Sequence, residues 1–155
     1  MTMDRSRLTL DSRQICIQMD QLANQSLAEA DVTGVQAHAL LYILRHSEMG
    51  TSVTALHQAS GYSKATISNI IKRLREKGYV RVESCREDDR RRLLFSTEKG
   101  RQVQRFLEDS IRDAEKWLYR GFSSQELSTL DHLQKRMLQN LSQYQTCIQK
   151  EASTK

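Results

Sequence analysis

The chain has 155 residues, 38% hydrophobic and 28% charged, which fits one globular domain with its own core and excludes an intrinsically disordered chain. It contains no proline and only 6 glycines, so a mainly helical fold is expected, since proline breaks helix interiors and glycine weakens them. A formal charge of +5 favours a polyanionic partner, and 3 cysteines without a CxxC pair fit a reducing compartment better than a disulfide framework.

The N-terminal stretch MTMDRSRLTL holds no long apolar run, and no stretch of about 18 apolar residues occurs anywhere, so a soluble cytoplasmic protein without membrane contact is expected. Ile15, Met19 and Leu22 recur at helical spacing and predict a first helix over residues 8–30. In VTGVQAHALLYIL, Thr33 and Gln36 form a capping-box pattern that starts a second helix running to about His46. Its Val35, Ala39, Leu40, Ile43 and Leu44 form a broad apolar face.

Residues 52–77 read as a helix-turn-helix: Ser52 caps a short helix, Gly61 permits the turn, Ser63 caps the next helix, and Lys77-Gly78 ends it. YVRVES and RLLFS are strand candidates on either side of the charge block REDDRRR, so residues 79–96 form a β-hairpin wing. A long helix resumes after Thr97, and Ser123 with Glu126 begins another. The terminal helices, residues 8–30 and 98–148, carry more apolar surface than one small winged unit can cover. A homodimer built on them is therefore expected, with residues 1–155 as a single domain.

Charge is concentrated in the centre. Between residues 61 and 105 there are thirteen basic side chains against six acidic ones, an excess larger than the whole chain's +5. Laid out at 100° per residue, the helix after Ser63 puts Ile67, Ile70, Ile71 and Leu74 on one side. Ala65, Ser68, Asn69 and Lys72 fall on the other, flanked by Thr66 and Arg73, and Lys64 at the start of the helix is a further candidate DNA contact. Small residues let such a helix enter the major groove, asparagine can pair with adenine, and lysine or arginine reaches guanine or phosphate. Ser63 and the helix N-terminus favour a phosphate at that end.

These motifs resemble those of the MarR family of winged helix-turn-helix regulators over most of the chain, from about Leu10 to Gln145. VTGVQAHALLYIL resembles the family's Leu-Thr-x-x-Gln-x-x-x-Leu helix start, YSKATISNIIKRLREKGYV its recognition helix and strand, and DDRRRLLFSTEKG its Asp-x-Arg-x-x-x-Leu-x-Leu-Thr-x-x-Gly wing. Ser96 stands where the family has leucine, with Leu93 and Phe95 expected to compensate. His57 and Ser60 replace the more usual alanine and leucine, so looser packing is expected there.

The resemblance implies a mainly α fold with a small β wing, acting as a dimeric repressor on a pseudo-palindromic operator in double-stranded DNA. It further implies that Arg90 enters the minor groove, that Asp88 orients it, and that Arg91 and Arg92 meet phosphates. Release by a small aromatic or lipophilic effector is expected, with Met19, His38, Tyr42 and Met49 as candidate lining. Cys16, and more weakly Cys85, are redox candidates, although Asp20 disfavours a thiolate and Ile17–Leu22 holds no tyrosine to activate one. The alternatives are a redox-sensing regulator or a winged-helix module that binds protein. No cofactor or metal is expected, since the histidines lack ligand spacing, and no catalytic motif such as GxSxG or HExxH points to an enzyme.

Overall fold

The computed structural model describes residues 2–84 and 91–154 and divides into two compact units, Met1–Lys116 and Trp117–Lys155. In the first unit, α1 (Arg5–Ser26) begins where the Asp4 side chain accepts from the Ser6 amide at 2.9 Å. The helix expected over 8–30 is thus displaced: it starts earlier and stops at Ser26. A 3-10 turn, Ala28–Ala30, and Asp31 in left-handed geometry (φ 55°) follow. Packing accounts for the break, because Leu27, Ala30 and Val32 are all buried and a straight helix could not turn all three inward. Of α1 itself only Ala23 is buried.

Helix α2 (Gly34–Arg45) starts with the capping box the sequence announces: Thr33 and Gln36 exchange two side-chain bonds to backbone amides, both of 3.2 Å. It is the central helix, with Ala37, Ala39, Leu40, Leu41 and Ile43 buried. Against it pack α3 (Val53–Ser60), which buries Leu56, and α4 (Lys64–Glu76), which buries Ile67, Ile70, Ile71 and Leu74.

Strands β1 (Val80–Ser84) and β2 (Arg92–Ser96) pair antiparallel with Val80 opposite Ser96 and Ser84 opposite Arg92. Thr51 adds a backbone bridge to Leu94, which ties the hairpin root to the chain between α2 and α3. The expected anchors are corrected here. Side chains alternate along a strand, so Leu94 and Ser96 point into the core while Leu93 and Phe95 are only half-buried. Buried Ser96 places its hydroxyl on the Thr97 carbonyl at 2.9 Å, and its amide donates to Ser47 Oγ at 3.3 Å, so no polar group is stranded.

Helix α5 (Glu98–Leu118) follows, and its Gly100 lies against the hairpin root. A β-carbon there would sit 2.7 Å from the Tyr79 carbonyl oxygen and collide with the Ser96 hydroxyl. Gly100→Ala is therefore expected to lower stability by about 1–3 kcal/mol, the steric cost exceeding alanine's helix advantage. Urea denaturation reads this directly, and an unchanged or raised midpoint would contradict it.

The second unit has Arg120 over the Trp117 ring at 5.1 Å and Tyr119 edge-on to Phe122 at 6.1 Å. A second complete capping box, Ser123 with Glu126, then opens α6 (Ser124–Ser153). This 30-residue helix buries no residue within the single chain. No helix of the described residues is long and apolar enough to cross a membrane.

Candidate nucleic-acid interface

The helix-turn-helix is built by local capping. Ser52 accepts from the Ala55 amide at 3.0 Å and Ser63 accepts from the Thr66 amide at 3.2 Å, while Gly61 closes α3 at φ 76°. His57 and Ser60 shape the turn between the two helices. The His57 Nδ1–H donates to the Tyr62 carbonyl, and the Ser60 hydroxyl accepts from the Tyr62 amide at 3.3 Å. A carbonyl can only accept, so the bond also fixes the tautomer of His57. Looser packing was the expectation for these two positions; the structure gives them a turn-forming role instead.

With its isoleucines and Leu74 in the core, α4 exposes Lys64, Ala65, Thr66, Ser68, Asn69, Lys72 and Arg73. Thr66 shares a 2.8 Å hydroxyl contact with Ser63, and Arg73 leans toward Glu76 at 3.6 Å, an exposed pair that is easily exchanged. Arg91 and Arg92 are exposed at the start of β2. Asp88 and Arg90, like Cys85, lie outside the described residues.

A groove of about 500 Å³ runs between the two arginines and the start of α3, lined by Ser52, Thr54 and Gln58. Thr54 and Gln58 did not stand out in the sequence. They lie four residues apart on a helix that carries no charge cluster, so only their position beside Arg91 and Arg92 marks them. The Arg81 guanidinium, by contrast, lies over the Phe95 ring at 4.6 Å and pairs with Glu83, which ties it to the hairpin itself.

A second concavity of about 450 Å³ opens between α2, α3, α4 and α5. His38, Tyr42 and Arg45 line one side, Leu56 and Tyr62 another, and Ile67 and Glu115 close it. Of the residues expected at an effector site, His38 and Tyr42 are here. Met19 is half-buried on α1 and Met49 is 86% exposed after α2; neither reaches the cavity. Tyr62 is the residue the sequence did not offer. Burial, and after it Asp20 and Cys16 of α1, hold its hydroxyl above the ordinary tyrosine range. The tyrosine that feels Cys16 electrostatically thus comes from the helix-turn-helix rather than from α1's own sequence.

A three-helix core with an amphipathic second helix and a two-stranded hairpin defines the winged helix-turn-helix class. Within it, residues 30–91 match the model of the MarR family. It is similar to YybA of Bacillus subtilis (strain 168), an uncharacterised HTH-type transcriptional regulator, with 25% identity over 124 residues, 79% of this chain and 81% of that one. The transcriptional regulator SlyA has the same fold, with a TM-score of 0.82 and 21% identity over 88% of this chain and 94% of its own. MepR of S. aureus, solved as a DNA complex, gives 0.80 and 24% identity over 90% of this chain and 99% of its own.

Proposed function

We propose that the protein is a cytoplasmic, homodimeric regulator that binds a pseudo-palindromic operator in double-stranded DNA, acts as a repressor, and is released by a small aromatic or lipophilic effector. The observation that carries this reading is the division of α4 into a buried isoleucine face and an exposed face of small, hydrogen-bonding and cationic side chains, with Arg91 and Arg92 exposed nearby. Such a face is suited to base edges at its leading end and to phosphates further along. The DNA-bound state of MepR, which shares this fold, supports it. In this reading Ser63, Lys64, Ala65, Thr66, Ser68, Asn69, Lys72 and Arg73 contact DNA together with Asp88, Arg90, Arg91 and Arg92.

The effector occupies the cavity between α2 and α4, where Tyr62 and Ile67 connect its wall to the recognition helix. One observation favours a redox alternative, namely that Cys16 is among the groups that raise the Tyr62 hydroxyl.

A gel-shift series against the DNA upstream of the protein's own gene tests the proposal. Specific binding is expected to weaken steeply with salt, by about 0.9 in the log–log slope for each phosphate contact, and to be reversed by aromatic acids that fill the cavity. Absence of binding at low salt would replace this reading with that of a protein-interaction module.

A further inference from the structure

The far end of the recognition helix holds a set of contacts that DNA binding does not use. Lys77, which caps α4, turns inward: its side chain is only 23% exposed, whereas Lys64, Lys72, Arg73 and Arg75 face solvent. Its ammonium donates to the backbone carbonyl of Asp31 and, at 3.1 Å, to Oε1 of Gln36. Two residues on, Tyr79 is buried and its hydroxyl donates to the Ala30 carbonyl at 2.5 Å. Two side chains thus join the end of α4 to three acceptors at the elbow between α1 and α2.

The opposite side is held as well. Lys99 donates to the Lys77 carbonyl at 2.6 Å and lies over the Tyr79 ring at 4.6 Å, and Thr97 donates to the Gly78 carbonyl at 2.6 Å.

The elbow itself is not relaxed. Asp31 is the one non-glycine residue with positive φ among those described, a geometry that crowds its side chain and carbonyl. Its carboxylate is 88% exposed and 3.9 Å from the lysine, so the ion pair contributes little. What orients Lys77 is the backbone carbonyl, which the left-handed turn presents toward it. A largely buried ammonium on two neutral acceptors fixes direction more than it adds stability.

We propose that Lys77 and Tyr79 are positioning residues for DNA recognition: they latch the trailing end of α4 to the α1–α2 elbow, so that movement of α1 against α2 is transmitted to the recognition face. The inference rests on the DNA-binding reading. The competing role for Lys77 is an ordinary phosphate contact, and the two roles differ in what they predict.

Lys77→Met keeps the apolar stem and removes the donors. It is expected to raise amide hydrogen exchange over residues 28–36, to weaken specific DNA binding about tenfold, and to leave nonspecific affinity and the salt slope unchanged. Lys77→Arg, which retains donors, recovers most of the affinity. Tyr79→Phe removes a single bond and gives the same pattern at smaller amplitude, so the proposal remains testable if the first variant folds poorly. A salt slope that drops by about one in Lys77→Met would identify a phosphate contact and overturn the latch. So would unmoved exchange at the elbow. Absence of specific binding by the wild-type protein removes the DNA-binding reading instead, and the exchange experiment still reports on the contact.

Discussion

Arg90→Ala is expected to weaken binding to operator DNA about ten- to a hundredfold while the protein keeps its helical content and its oligomeric state. One well-seated arginine contributes about 1–3 kcal/mol of discrimination. A narrow minor groove concentrates negative potential and draws in a guanidinium, which sheds water more readily than an ammonium does. The hairpin root is held well enough to carry such a contact: Leu94 is buried, Thr51 bridges it, and Ser84 pairs with Arg92 in register.

Two comparisons separate this role from mere charge. Arg90→Lys keeps the cation but loses the planar fork, and is expected to recover only part of the affinity. Arg91→Ala removes a charge just before β2 and is expected to weaken all DNA sequences alike, with the salt slope reduced by about one. Titration of the operator and of a scrambled duplex at several salt concentrations distinguishes these patterns. Full affinity in Arg90→Ala would remove the wing from the recognition model.

Local rules made much of this fold legible. Both capping boxes, the caps at Ser52 and Ser63, the turn at Gly61 and the buried face of α4 each follow from a few adjacent residues, and each is found where the sequence puts it. Features that depend on distant neighbours were harder to read. The end of α1 is set by what Leu27, Ala30 and Val32 bury, and helical periodicity runs through that point without a break. The inward residue of β2 is Leu94 because of strand register, while the apolar run Leu93–Phe95 looks uniform in sequence. Cys16 and Asp20 of α1 act electrostatically on the Tyr62 hydroxyl although 46 positions separate Cys16 from Tyr62 in the chain, a relation that no local spacing records. Met49, expected as pocket lining from the family resemblance, stands in solvent.

The paired substitution Met137→Glu with Leu141→Glu is expected to leave a folded monomer of 18.0 kDa, where twice that mass is expected of the wild-type protein. Along α6, Leu127, Leu130, Met137, Leu141, Tyr144 and Ile148 recur at spacings of three, four and seven, the seam of a helix that packs against another helix. In one chain this seam is open: Met137 is 53% exposed, Leu141 59% and Tyr144 64%. Burying side chains of that size contributes about 1.5–3 kcal/mol each, so water is a poor partner for the stripe and a second copy is a good one. Because both positions are already solvated in the single chain, glutamate there costs nothing within it, and circular dichroism should be unchanged. At the seam of a dimer, the same carboxylates would be desolvated beside apolar neighbours at a cost of several kcal/mol. DNA affinity should fall with the mass, by about a hundredfold or more, since two linked half-site contacts become one. Light scattering of the wild-type protein at micromolar concentration is the decisive control, and an 18.0 kDa species there would mean that α6 is covered by something other than a second copy.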